Sequence, residues 1–267
     1  MDKKLNRFLK EKTTTFYLTT NLFPKKTKED VKKLYYFLRS VDDIVDEEKN
    51  IDKFKRIYKD LVEERKSDYD FVNLALELKK KYKIEKKYFL GFLKAQKKDL
   101  NLKGIKIKNK KELIEYCYGV AGIVGVFMVK IFKLKKITKE ILNSAIHFGV
   151  FMQLVNILRD IKEDFKKNRI YIPQDLLKKY SIRLGKIESK SYQKMIDEYC
   201  KIATDELDKV NLNYLPNRLR KPNKIAKDIY MDILNQIKKN PIKYYNNKYQ
   251  IQNLRLKFLI FKNLLLR

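Results

Sequence analysis

Residues that make turns and cross-links are scarce in this chain. Its 267 residues include seven glycines, five prolines, two cysteines, one histidine and no tryptophan. Neither Asn-Gly nor Asp-Gly occurs, and so few punctuating residues exclude a hairpin-rich β fold. Cys117 and Cys200 are too far apart for a redox pair or a zinc spacing, which excludes a disulfide or zinc framework. A reducing cytoplasm is the expected setting, with the inner face of the membrane as a peripheral site. Residues 1–8 hold no apolar stretch of the kind a signal peptide needs. No uninterrupted run of 18 apolar residues is evident either, so no bilayer span is expected.

Apolar pairs recur at three- and four-residue intervals between lysines and glutamates, the pattern of amphipathic helices. The fold class expected is all-α, with helices near 28–47, 51–65, 70–81, 85–99, 110–132, 138–165, 190–211, 223–239 and 252–264. Breaks fall near Phe23-Pro24, 101–109, Tyr171-Ile172-Pro173, 215–222 and Asn240-Pro241, and none has the composition of a domain linker. Residues 1–267 are therefore expected to form a single helical domain with a buried core. The tail 254–266 reads as a last bundle helix, with an interfacial helix as the alternative.

Acidic residues are outnumbered, 33 against 63 lysines and arginines, for a formal charge of +30. The lysines are spread over nearly every segment and read as solvated helix faces. Such a field attracts anionic ligands and anionic membrane surfaces. No nucleic-acid partner is expected, because no zinc-finger spacing, RNP-type motif or convincing helix-turn-helix is present.

Against this basic background stand two acidic clusters. The second is Asn156-Ile157-Leu158-Arg159-Asp160-Ile161-Lys162-Glu163-Asp164. At about 100° per residue, Gln153, Asn156, Asp160 and Asp164 fall on one strip roughly 80° wide. Phe148, Phe151, Met152, Leu154, Val155, Ile157, Leu158 and Ile161 occupy the rest of the circumference, so the helix should be buried. Its polar strip must then face an interior cavity. No lysine or arginine falls on it. Buried carboxylates without partners are costly, and a divalent cation is the simplest partner.

The first cluster, Asp42-Asp43-Ile44-Val45-Asp46, shares one side of its helix with Tyr35 and Arg39. Two facing rows of hard oxygen donors suit Mg²⁺, which commonly binds through a few carboxylates plus substrate phosphates. Arg39 stands one turn before the aspartates, and its fork geometry suits phosphate oxygens. His147, the lone histidine, is expected to be structural. The glycines at 119, 122 and 125, with Ala121, imply either tight helix packing or room for a ligand tail.

These motifs resemble the squalene/phytoene synthase family. The resemblance runs from about Thr13 to Phe258 and rests on four ordered segments. They begin at Tyr35-Tyr36-Phe37-Leu38-Arg39-Ser40-Val41-Asp42-Asp43, Tyr116-Cys117-Tyr118-Gly119-Val120-Ala121-Gly122, Gln153-Leu154-Val155-Asn156 and Asn168-Arg169-Ile170-Tyr171-Ile172-Pro173. The resemblance implies the isoprenoid synthase helical bundle and a central active-site cavity. It also implies Mg²⁺-dependent head-to-head (1′–1) condensation of two prenyl diphosphates through a cyclopropylcarbinyl diphosphate. Mn²⁺ is a substitute ion.

By the same resemblance Asp42, Asp43, Asp46, Asn156, Asp160 and Asp164 would be metal ligands. Tyr35, Tyr118 and Tyr230 would flank the reacting carbons. Arg39, Arg169, Gln153, Gly122 and the pair Thr15-Phe16 would contact substrate; Thr15 stands where the family usually has serine. Phytoene synthesis is favoured. Squalene, dehydrosqualene and presqualene diphosphate are the C30 alternatives, NADPH being needed only for squalene. A non-catalytic assembly factor of the same fold is a remote alternative. Release of an apolar product implies peripheral membrane contact.

Overall fold

Helix boundaries follow local chemistry. The computed structural model describes residues 19–101, 104–187 and 189–249, with Leu5, Arg7, Phe8, Ile251 and Leu256. Pro24 precedes α1 (Lys25–Asp43), which continues into a π-helical turn at Ile44–Glu48. Then come α2 (Ile51–Glu63), α3 (Asp70–Tyr82) and α4 (Lys86–Gln96), the last ending in a 3₁₀ turn at Lys97–Leu100. Asn50 caps α2 by accepting from Lys53 N at 2.9 Å. Left-handed residues Lys49, Glu64 and Lys83 follow the π turn, α2 and α3.

A two-residue strand β1 (Ile105–Lys106) leads to α5 (Lys110–Cys117), a second π-helical turn (Tyr118–Gly122) and α6 (Ile123–Ile131). The long α7 (Lys139–Lys166) is followed by β2 (Arg169–Ile170), α8 (Gln174–Lys179), α9 (Ser189–Leu207), α10 (Asn217–Lys239) and α11 (Pro241–Asn246). Strands β1 and β2 pair in parallel, Ile105 opposite Arg169.

The all-α expectation holds, and the central helices lie close to their expected spans. Three features differ. α10 begins at Asn217 rather than 223 and carries Pro222 inside it. Pro222 removes one amide from the second turn, and the adjacent Asn223 side chain donates to Leu219 O at 2.8 Å. Helices α8 and α11, six residues each, are too short to show a helical period. The parallel pair β1–β2 spans only two residues per strand, too few for any alternation. The expected helix over 252–264 lies outside the described residues, except for Leu256, which is helical and buried.

Helix α7 is the axis of the molecule. Its Phe151, Leu154, Val155, Ile157 and Leu158 join a core shared with α5, α9 and α10. A second core lies among α1 to α4 and α6, around Phe37, Phe89, Phe92 and Phe127. Glycine allows α6 and α7 to cross closely. A methyl group on Gly125 would stand 2.1 Å from Ala145 O, and one on Gly149 would stand 2.2 Å from Ala121 O.

Contrary to the expectation from apolar runs, Lys110–Ile131 and Lys139–Lys166 are long and apolar enough to cross a membrane. Half of each apolar window is buried in this bundle, where the two helices pack on each other. Central bundle helices need apolar surface on most sides for the same reason a span does.

Candidate active site

Helix α1 carries Tyr35, Arg39 and Asp42 along one wall of a cavity of about 770 Å³. Helix α7 supplies Gln153 and Asn156 to the same cavity, and α10 supplies Tyr230. The rest of the lining is mainly apolar, including Phe23, Val124, Met128, Phe132, Phe148 and Met152. One chamber therefore has a charged end and a hydrocarbon interior.

Each carboxylate at the charged end has a cationic neighbour or a raised pKa. Arg39 reaches Asp42 at 2.7 Å, Asp43 at 2.8 Å and Glu47 at 3.4 Å. Arg159 grips Asp160 with two bonds, Nε to Oδ1 at 2.9 Å and Nη2 to Oδ2 at 2.7 Å. Lys248 meets Asp160 Oδ1 at 2.9 Å and Glu163 at 2.7 Å. Burial works to raise Asp160, but Arg159 and then Lys248 outweigh it and hold the group below its ordinary range.

Asp42, despite its pairing with Arg39, and Asp164 shift the other way. Burial, followed by the charge of Asp46, pushes Asp42 up to about 7. Burial, followed by the charges of Asp160 and, against the pull of Arg169, Asp46, pushes Asp164 up to about 7. Asp46 is thus felt on both rows, so the two acidic clusters face each other. Arg169, which follows α7 on β2, reaches across to Asp46 of the first cluster at 2.7 Å and lies near enough to Asp164 to lower its pKa.

These residues fit a hard divalent cation. All the donors are carboxylate or amide oxygens. Burial holds two of the carboxylates, Asp42 and Asp164, well above their ordinary pKa, and among the described residues the buried Asn156 carbonyl oxygen accepts no hydrogen bond. Among the described residues no three acidic, histidine or cysteine side chains are gathered closely enough to hold an ion. Arg39, Arg159, Arg169 and Lys248 stand on the carboxylates instead.

The other expected residues are placed as follows. Tyr35 and Tyr230 line the cavity, and burial raises the Tyr230 phenol against the pull of neighbouring Arg159. Tyr118 is 40 % exposed and, like Gly122, is not part of the cavity wall. A methyl on Gly122 would meet Tyr118, Ile146 and Val150 at 3.1–3.3 Å, so this glycine packs helix on helix. Gly125 and Ala121 both pack and line the chamber, so the two readings of the small-residue run hold together. Thr15 and Phe16 lie outside the described residues. His147 bonds Glu206 at 2.6 Å and takes no part in the cavity wall, consistent with a structural role.

Sequence reasoning missed Arg159, Lys248 and Asp99. Arg159 falls off the polar strip by one residue, and a side chain that doubles back to its neighbour leaves no periodic signal. Lys248 is one lysine among many. Asp99, in Lys97-Lys98-Asp99-Leu100, reads as surface yet is buried, accepting from Tyr116 at 2.9 Å and Tyr171 at 2.8 Å. Burial pushes Asp99 up to about 6 despite both phenols.

The Squalene/phytoene synthase family model matches residues 9–257. Phytoene synthase 1, chloroplastic, of Arabidopsis thaliana is 29 % identical over 256 residues, covering 89 % of this chain and 59 % of the relative. Phytoene synthase 2, chloroplastic, of rice is 30 % identical over 89 % of this chain and 62 % of its own length. The chain therefore spans about three-fifths of these plant relatives. Among solved structures, a dehydrosqualene synthase in complex with ligand superposes with a TM-score of 0.86 at 24 % identity, covering 98 % of this chain and 94 % of that one. A squalene synthase from Alicyclobacillus acidocaldarius gives 0.75 at 18 % identity, over 92 % and 95 %. These two likenesses establish the all-α isoprenoid synthase architecture.

Proposed function

The chain belongs to the squalene/phytoene synthase family, and on that premise we propose that it joins two prenyl diphosphates head to head. The observation that carries the reading is a chamber of about 770 Å³ with an apolar interior and a charged end where Arg39, Asp42, Asn156 and Arg159 line the wall, Arg159 in turn gripping Asp160. The product favoured is phytoene from two C20 donors, in keeping with the names of the curated relatives.

Mg²⁺, or Mn²⁺ in its place, would be held by Asp42, Asp43, Asp46, Asn156, Asp160 and Asp164 and would supply Lewis-acid neutralisation of diphosphate charge. The chain's own groups do the rest. Arg39 and Arg169 bind diphosphate oxygens in exchange for the carboxylates they now hold, which favours departure of the leaving group. The apolar wall excludes water, so an allylic cation inside it is not quenched. Tyr35 and Tyr230 offer aromatic faces beside the charged end, where a cation is attracted to the ring. The double bond of the second substrate attacks to give the cyclopropylcarbinyl diphosphate, and a second ionisation and rearrangement completes the 1′–1 bond. Released diphosphate is the proton acceptor, so no dedicated base is required. The hydrocarbon product partitions into a membrane, which makes peripheral bilayer contact part of the proposal.

Purified protein with Mg²⁺ and farnesyl or geranylgeranyl diphosphate should release pyrophosphate. Mass analysis of products with and without NADPH then separates C40 phytoene from squalene, dehydrosqualene and presqualene diphosphate. Asp43→Asn and Asp160→Asn should each lose turnover on the order of 10²–10³-fold with circular dichroism unchanged. Full activity in both variants would refute the metal assignment, and a wild-type protein that releases no pyrophosphate would favour an assembly factor.

A further inference from the structure

Behind Arg169 lies a buried polar node that the proposed chemistry does not use. Asp99 lies in the 3₁₀ turn after α4, and both its carboxylate oxygens are occupied, Oδ2 by Tyr116 and Oδ1 by Tyr171. The two phenol rings stack on each other with centroids 4.9 Å apart. The backbone carbonyl of the same residue faces Arg169 Nη2 at 3.4 Å. Arg169 and Tyr171 are two residues apart on an extended segment, so they point to the same side. A single residue thereby touches the guanidinium with its main chain and that residue's strand neighbour with its side chain.

The backbone of this segment is pinned independently. Ile105 N donates to Asn168 O and Ile107 N donates to Ile170 O, both at 3.1 Å. Gly104 has φ +84°, and a methyl there would stand 2.2 Å from Asn168 O, so only glycine permits the approach. Arg169 is thus held along its main chain by β1 and at its head by Asp46 and Asp99, with 6 % of the residue exposed.

We propose that Asp99 is a positioning residue for Arg169: it touches no substrate, and through Tyr171 and its own carbonyl it sets where the guanidinium presents itself to diphosphate. This rests on the proposed function for the identity of the ligand. An amide at position 99 offers an acceptor oxygen and an NH₂ donor where two phenols now donate, so one of the phenols must reverse its hydrogen bond and accept, which disturbs the pair that anchors Tyr171.

The test is a double-mutant cycle with Asp99→Asn, Arg169→Lys and the pair together, read as affinity for inorganic diphosphate in the presence of Mg²⁺ by titration calorimetry. Asp99→Asn should weaken diphosphate binding about tenfold, and in the Arg169→Lys background it should add no more than about twofold. Circular dichroism and thermal melts check that each variant is folded. Should Asp99→Asn fail to fold, Tyr171→Phe replaces it in the same cycle, with a smaller expected loss. Losses that multiply across the cycle, or an Asp99→Asn protein that binds diphosphate like the wild type, would assign Asp99 to stability alone and overturn the inference. A wild-type protein that binds no diphosphate would overturn the functional reading and this inference with it. Binding without turnover on prenyl diphosphates would defeat the reading and leave the cycle to decide the role of Asp99.

Discussion

Replacing Gly149 with alanine tests the close crossing on which the cavity is built. The new methyl would lie 2.2 Å from Ala121 O and 2.8 Å from Ala121 C, both backbone atoms of the π-helical turn. Neither can rotate aside, so α7 and the turn must part by about 1 Å, a typical overpacking strain of about 1–3 kcal/mol. Alanine returns about 1 kcal/mol of helix propensity over glycine. The net expectation is a loss of up to about 2 kcal/mol, which for a domain of this size lowers Tm by about 2–4 °C per kcal/mol. Gly91 in α4 is the internal control. Its added methyl meets only the tip of Ile123 at 2.9 Å, and that side chain can turn away. Gly91→Ala should therefore be neutral or slightly stabilising. Thermal melts and urea titrations of both variants decide the matter. If Gly149→Ala melts with the wild type, or Gly91→Ala costs as much, backbone proximity does not govern this crossing.

Three further expectations concern charge and thiols. Asp60 accepts from Ser67 at 2.6 Å and Arg65 at 2.7 Å, which outweigh its burial and hold its pKa below the usual 3.8. Its stabilisation is present above pH 3.8 and is lost as pH falls through the lower native value. Asp60→Asn should cost about 1–3 kcal/mol at pH 7 by urea denaturation, with the gap closing as pH falls through the lowered native value. Arg159→Leu removes both bonds that Arg159 makes to Asp160, so the metal-free protein should melt lower, and Mg²⁺ should raise its Tm more than it raises the wild type's. An equal rise in both would remove Arg159 from any competition for Asp160. Burial pushes the thiols of Cys117 and Cys200 up, so at pH 8 a thiol reagent should label them only as the protein unfolds.

Much of the architecture was legible from periodicity. The polar strip Gln153, Asn156, Asp160 and Asp164 on an otherwise apolar helix required burial and an inner chamber, because one helix carries the whole pattern. On α1 the spacing put Tyr35, Arg39 and Asp42 on one side, a pattern an amphipathic surface helix shares, and the structure places that side on the chamber wall. Short elements escaped this reading: six-residue α8 and α11, and the two-residue β1 and β2, are shorter than the periods that would announce them.

Helical spacing and residue chemistry by themselves determined that two long helices each gather their carboxylates on one side, and that on the otherwise apolar α7 this side faces the interior. Only the tertiary structure decided which cation stands on which carboxylate: Arg169 on Asp46, Lys248 on Asp160, and Asp99 behind Arg169. A periodic pattern reports one face of one helix, whereas these pairings join segments far apart in the chain. Their geometry is set by how α7, β1 and the end of α4 pack together, and that packing has no counterpart in any local stretch of sequence.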